Sequence, residues 1–286
     1  MDDKKNLVGK NIGITSNVIV DRLGLKGYSM IANAGFNAID FNMQRGFFIS
    51  ENNAFPINFN ALINAHKQEI ANSGLLVSQI HAPYYTSESN MNCPYHFERY
   101  LDTVEQALWA STCLGSKRFV IHPLHRYSWM TENEYELTEK LIYRLSSIAI
   151  KEEVDICIEN LPYLFCGDYK RHLEFINLIS DFKIKACFDT GHSKLCKKDP
   201  LQHLVALRDY IYAVHIHDND GISDLHNSIK LNSNEWQMII NEMNTNENII
   251  SLSLETSGIY KKCDEDKIQN ELILDFESIS SYVKVE

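Results

Sequence analysis

Several polar side chains in this sequence fall in the same kind of place, at the end of an apolar run. The clearest case is Lys185-Ala-Cys-Phe-Asp-Thr-Gly-His-Ser193, where Ala186-Cys187-Phe188 ends in Asp189 and Thr190-Gly191 turns the chain before His192. A strand that stops at a carboxylate, with an imidazole three residues on, offers an oxygen and a nitrogen donor to one point. Taken alone, the stretch reads equally well as an Asp capping a helix beside a surface His. Recurrence decides between these readings. His81, His122, Glu159, His215 and Glu255 each follow an apolar run in the same way. Three carboxylates and four imidazoles brought together and buried would cost several kcal/mol if left charged and unpaired. A divalent cation removes that cost, and this mixture of oxygen and nitrogen donors suits Zn²⁺, Mn²⁺ or Co²⁺.

Convergence requires elements that all point the same way. Strand-like runs are expected at Asn11–Ile14, Ala38–Phe41, Leu75–Ile80, Lys117–Ile121, Val154–Ile158, Lys185–Phe188, Ile211–Val214 and Ile249–Leu254. Helical patterns lie between them, at Leu25–Ala34, Phe59–Asn72, Tyr95–Leu114, Glu132–Glu152, Tyr169–Ser180, Pro200–Arg208 and Asn234–Met243, with another in the tail from Asp264 to Val285. Gly35 and Gly115 stand where helices stop, and Pro200 where one starts. Strands alternating with helices predict a parallel sheet covered by helices. Eight such units predict a (β/α)₈ TIM barrel occupying residues 1–286 as one domain, whose strand ends share one mouth. The runner-up, a doubly wound open sheet, lacks a glycine-rich phosphate loop after the first strand.

Composition narrows the function. The 286 residues carry 27 Lys+Arg against 38 Asp+Glu, a net charge of −11, which argues against a dedicated nucleic-acid binder. No run reaches membrane-spanning length, and Met1-Asp-Asp-Lys-Lys-Asn6 lacks a signal-peptide core. The seven cysteines have neither disulfide-scaffold nor zinc-ribbon spacing, which fits a reducing cytoplasm. Cys157 and Cys187 read as small core residues. After the seventh strand comes His215-Ile-His-Asp-Asn-Asp-Gly-Ile-Ser-Asp-Leu-His226. Asp224 and His226 form an Asp-x-His pair able to reach back over the mouth. His217 is placed as a supporting group or substrate contact, while Asp218 and Asp220 read as turn formers with Gly221.

These motifs resemble the xylose-isomerase-like barrel superfamily, which includes sugar and sugar-phosphate isomerases and epimerases and, as a related branch, endonuclease IV. The resemblance rests on Phe188-Asp-Thr-Gly-His192, Val214-His-Ile-His-Asp-Asn-Asp-Gly221, Asp224-x-His226, Ile158-Glu-Asn160 and Leu254-Glu255. In the isomerase branch it implies one metal held by Glu159, Asp189, His215 and Glu255. The two glutamates would there transfer a proton next to a carbonyl through a metal-stabilised enediolate. In the endonuclease branch the same four residues, with His81, His122, His192, Asp224 and His226, would hold three zinc ions that hydrolyse phosphodiesters at abasic DNA. One departure is visible: relatives continue past the Asp-x-His with a glycine-containing turn, where this chain has Asn227-Ser-Ile-Lys-Leu-Asn-Ser233. The basic residues near the mouth, Arg45, Arg126, Arg171 and Lys194, are too few for a DNA groove but enough for a sugar phosphate. Sugar chemistry is therefore the first expectation, with a small-molecule sugar or sugar phosphate as partner, no membrane association, and DNA hydrolysis as the alternative. Tyr84, His217 and Lys194 are expected to touch the substrate. Phe47, Phe48, Tyr85 and Trp129 would supply flat faces for a sugar ring.

Overall fold

Eight short runs rich in Val, Ile, Leu and Phe form strands because each must bury both faces. In the structure, a computed structural model describing residues 10–43, 55–84, 93–179, 182 and 184–283, they are β1 (Asn11–Thr15), β2 (Ala38–Asn42), β3 (Leu76–His81), β4 (Arg118–Ile121), β5 (Asp155–Glu159), β6 (Ile184–Asp189), β7 (Ile211–His215) and β8 (Ser251–Leu254). They pair in parallel in the order β7-β6-β5-β4-β3-β2-β1-β8. β7 and β8 then meet through an isolated parallel bridge, Ile216 to Leu254. The backbone there is tied by Ile216 N–H to Ser253 O, 2.9 Å, and Glu255 N–H to Ile216 O, 3.0 Å. The result is the expected (β/α)₈ TIM barrel, nearly closed, with a seam between β7 and β8. Among the described residues no helix is long and apolar enough to cross a membrane.

The outer layer comprises α1 (Asn17–Leu23), α2 (Lys26–Asn33), α3 (Phe59–Asn72), α4 (Pro94–Leu114), α5 (Glu134–Glu152), α6 (Tyr169–Leu178), α7 (Thr190–Leu195), α8 (Pro200–Leu207), α9 (Asn234–Thr245), α10 (Ser257–Tyr260) and α11 (Ile268–Ser280). Three features depart from expectation. The first connection holds two helices: Asn17-Val-Ile-Val20 is β-branched and reads poorly as helix, yet Val18, Ile19, Val20 and Leu23 of α1 are all buried, so packing overrides propensity. α5 begins at Glu134, because Asn133 and Glu136 form a capping box that fixes its first turn. Thr190-Gly191 is the start of the short helix α7 rather than a turn. Arg45, Phe47, Phe48, Tyr85 and the expected helix end at Ser180 lie outside the described residues.

Side chains alternate across a strand, so the residue two positions before a strand-end group shares its face. Val120, Cys157, Cys187 and Ala213 stand two residues before His122, Glu159, Asp189 and His215, and together form a small cluster separate from the main core. These small residues fill the barrel interior beneath the polar mouth. Gln79 lies in the same interior and reaches β7: its Nε2–H donates to Val214 O, 3.2 Å, and its Oε1 accepts from Val214 N–H, 3.3 Å. A side-chain amide thus serves a backbone amide beside the seam, where the β8 ladder does not. Gln79→Leu would leave both Val214 groups buried without partners, at roughly 1–3 kcal/mol for each. Urea unfolding should show that loss, and an unchanged midpoint would mean the amide does not brace the seam.

Candidate metal centre

His81, Glu159, Asp189 and His215 are the last residues of β3, β5, β6 and β7, and His122 and Glu255 directly follow β4 and β8. A common strand direction therefore delivers all six to one end of the barrel. The structure brings them together with His192, Asp224, His226 and His217. One donor atom each from Glu159, Asp189, His215 and Glu255 lies within 4.8 Å of the others, and each of these residues is buried. The focus is His215 Nδ1, which sits 3.2 Å from Glu159 Oε1, 3.3 Å from Glu255 Oε2 and 3.8 Å from Asp189 Oδ2.

Glu159 is the hub. Its Oε2 faces His81 Nε2 at 3.2 Å and His122 Nε2 at 3.0 Å, while its Oε1 also meets His192 Nδ1 at 3.1 Å. Burial pushes the Glu159 carboxyl up, but the imidazoles of His215 and His122 outweigh it and hold the group well below the usual carboxylate range. Burial itself lowers His122 to about 4, so this ring meets the carboxylate as a neutral N–H donor rather than as an ion-pair partner. Burial opposes charge on Asp189 too, and the imidazoles of His192 and His217 overcome it. Asp189 is the helix cap that one reading of the sequence gave, and it also points an oxygen into the cluster. Its Oδ1 caps α7 through the His192 N–H, 2.6 Å, and its Oδ2 faces the His217 Nε2, 3.1 Å. Asn160 clasps the same residue by its backbone, giving Nδ2–H to Asp189 O and accepting Asp189 N–H on Oδ1.

A second polar group closes over the first. Asp224 Oδ2 lies 2.9 Å from His226 Nε2 and 3.4 Å from His192 Nε2. The His226 Nδ1–H donates to Glu255 O at 2.9 Å, which ties the loop after β7 to the end of β8. His226 itself takes a left-handed backbone, φ 49°. Gly258 supports that shape: a Cβ there would fall 2.0 Å from Leu225 O. Buried Asp275 accepts the hydroxyls of Ser228, Thr256 and Tyr260 and so anchors both loops. Gly191 does the same for His217, whose ring a Cβ would meet at 2.0 Å.

A cavity of about 290 Å³ opens above Glu159 and Glu255, with walls from Tyr84, Tyr100, Tyr127 and Tyr163. Tyr84 stacks on His122 with ring centres 4.2 Å apart. No Lys or Arg is among the described residues that line it. Lys194 points elsewhere, its Nζ held by Asp218 Oδ1 at 2.7 Å and Asn219 O at 2.9 Å. Arg126 and Arg171 line a separate surface depression with Tyr135. Asp220 forms the expected turn, accepting the N–H groups of Ile222 and Ser223. Trp129 packs edge-on against Phe97, 6.2 Å between centres, and does not line the cavity. Sequence reasoning missed Asp40, a buried residue of β2 whose Oδ2 lies 2.9 Å from His215 Nε2. It also missed the tyrosines Tyr100, Tyr127 and Tyr163.

The donor set fits a divalent cation. Three carboxylates converge on one imidazole nitrogen, and the buried His192 Nδ1 makes no aligned hydrogen bond although Glu159 Oε1 lies 3.1 Å away. Such nitrogens are what a metal ion or a proton would occupy.

By architecture this is a (β/α)₈ barrel with a buried His/Asp/Glu cluster at its mouth. The profile of the xylose isomerase-like TIM barrel family matches residues 29–273, and the chain belongs to that family. It is 28% identical over 190 residues to the uncharacterized protein MJ1614 of Methanocaldococcus jannaschii, covering 62% of this chain and 70% of that one. Among solved structures, a D-tagatose 3-epimerase-like protein superposes with a TM-score of 0.67 at 18% identity, covering 93% of this chain and 99% of the other. D-psicose 3-epimerase in the presence of D-fructose superposes with a TM-score of 0.71 at 13% identity, covering 96% and 99%.

The metal-free protein should depend on pH in a defined sense. Burial lowers the His226 pKa, but Glu255 and Asp224 raise it to about 9. His192 and His215 are also raised, against burial, by the carboxylates and, for His215, the Cys187 thiol beside them. A histidine raised above its unfolded value near 6.5 stabilises fully below that pH and loses its effect as pH rises through the folded value. With EDTA present, the thermal midpoint should therefore fall between pH 6.5 and about 9, and His226→Asn should flatten the fall. A midpoint that rose across this window would contradict the charge arrangement.

Proposed function

We propose that this protein is a metal-dependent isomerase or epimerase of a sugar or sugar phosphate, moving a proton between carbons beside a carbonyl. The observation that carries the reading is the pairing of Glu159 and Glu255 across His215 Nδ1, at the floor of a cavity of sugar-ring dimensions. Glu159, Asp189, His215 and Glu255 would hold the ion, and their hard oxygen donors with one nitrogen suit Mn²⁺, Co²⁺ or Zn²⁺. When bound, such an ion polarises a carbonyl and its neighbouring hydroxyl and so acidifies the C–H between them.

The chain's own residues supply the remainder. Glu159 and Glu255 come from β5 and β8 and flank the cavity floor, so one removes a proton and the other returns it on the opposite face. His81 and His122 hold Glu159 Oε2 in place and keep that carboxylate anionic until it accepts a proton. His192 is set to orient a hydroxyl between Glu159 and Asp224. Tyr84 and its neighbours offer ring faces to C–H groups and hydroxyls to sugar oxygens. The related structures support this reading, since they include D-tagatose 3-epimerase-like protein and D-psicose 3-epimerase.

A second reading, phosphodiester hydrolysis of the endonuclease IV type, is favoured by one observation. Asp224 joins His192 to His226 while Glu159 gathers His81 and His122, so nine potential donors share one mouth. Nine residues can serve three ions at four- to five-coordination when carboxylates give both oxygens and water fills the remaining positions.

Free ketoses and their phosphates, incubated with the Mn²⁺-loaded protein in D₂O, should gain deuterium beside the carbonyl. Glu159→Gln and Glu255→Gln should each lower that exchange by about 10²–10⁴-fold, the range of a lost acid or base. Near-wild-type exchange in either variant would end the two-glutamate mechanism. Metal analysis of wild type and of the Asp224→Asn/His226→Asn variant separates the readings. One ion in both, with no cleavage of abasic DNA, is expected, whereas about three in the wild type with cleavage would establish the hydrolase.

A further inference from the structure

Asp40 is fully buried in the barrel wall, an unusual place for a carboxylate. It does not end its strand. It sits inside β2, and the ladder between β2 and β3 slips register between Ile39 and Asp40. The extra residue, Ser78, belongs to β3, and such irregularities collect next to functional sites. Here the carboxylate reaches across the barrel to His215 of β7, with Oδ2 2.9 Å from Nε2. Its other oxygen, Oδ1, is buried without a hydrogen-bond partner. A buried carboxylate with a single hydrogen bond is costly, so the group it meets must carry positive charge or lie next to one.

The opposite nitrogen of the same ring explains the arrangement. His215 Nδ1 faces Glu159, Glu255 and Asp189. A histidine whose Nε2–H is engaged by a carboxylate presents Nδ1 as a lone pair, and the hydrogen bond fixes both tautomer and ring plane.

We propose that Asp40 is a positioning residue of the candidate metal centre, which by accepting the Nε2–H of His215 aims its Nδ1 lone pair at the point shared by Glu159, Asp189 and Glu255. The inference rests on the reading of those four residues as a metal site. Asp40 does not touch the ion or the substrate. It acts through the ring, by holding its orientation and raising its basicity toward the cation.

Co²⁺ serves as the probe. Wild-type protein, Asp40→Ala and the isosteric but uncharged Asp40→Asn are stripped of metal and titrated with Co²⁺ against a competing chelator, while the visible d–d absorption is recorded. Asp40→Ala should weaken Co²⁺ binding by roughly 10–100-fold, the range for an outer partner of a ligating histidine, and should change the d–d band. Asp40→Asn should lose several-fold. Wild-type affinity with an unchanged band in Asp40→Asn overturns the assignment of Asp40 and leaves the metal site standing. A wild-type protein that takes up no Co²⁺ removes the metal site, and the assignment with it. Thermal unfolding in chelator reads the structural contribution separately. If the variants lower that midpoint but bind Co²⁺ as the wild type does, Asp40 is a packing residue and the assignment fails.

Discussion

The physical constraint on which the barrel mouth depends is crowding of negative charge. Glu159, Asp189 and Glu255 place carboxylate oxygens within 4 Å of one ring nitrogen, and Asp40 presses on the far side of the same ring. Like charges this close in a low-dielectric interior repel strongly, and burial adds a desolvation cost to each. Imidazoles on every side answer that cost in the metal-free protein, by holding protons where a cation would sit. The same charge could be neutralised by a metal ion instead, and its uptake would release protons.

The fold works to hold that charge in place. Small residues below the mouth let the strand ends approach one another, and Asn160 pins the backbone of Asp189 through both of its amide groups. Glycines stand where neighbours come closest, Gly191 beneath His217 and Gly258 beneath Leu225. The loops that carry Asp224, His226 and Glu255 converge on the hydroxyl-lined carboxylate of Asp275, far along the sequence in α11. Burial raises that carboxyl above its ordinary value despite its three hydroxyl donors. A site assembled from seven of the eight strands and their loops therefore behaves as one connected polar network whose buried members share partners.

How much of this could be read from the chain follows from where each residue sits. His81, His122, Glu159, Asp189, His215 and Glu255 end apolar runs, so a parallel barrel makes their convergence legible from sequence alone. Asp40 escaped because it lies inside its run rather than at its end, and only the closed barrel brings it to His215, 175 residues away. Its neighbour pattern did hold a signal, since an Asp within Ala38-Ile-Asp-Phe41 is buried at a cost and asks for a partner. Tyr100 belongs to α4, and Tyr127 and Tyr163 to loops, where no periodicity marks a side chain as facing the mouth. α1 was hidden by β-branched residues whose burial decides their conformation. Lys194 looked free beside His192, but a neighbouring carboxylate that only the fold brings near, Asp218, holds it.

The seam between β7 and β8 has a topological consequence. The ladder joining the two ends of the chain, β1 to β8, runs through four registered pairs from Asn11–Ser251 to Ile14–Leu254. By contrast, β7 and β8, neighbours in sequence, share an isolated bridge. The barrel is in this sense a rolled sheet whose margins are β7 and β8. A circular permutant opened in the polar loop between them would keep every ladder intact, its strands following one another along the chain in the order β8, β1 to β7. His215 and Glu255 would then lie on opposite margins of that sheet. Whatever binds between them also fastens the roll.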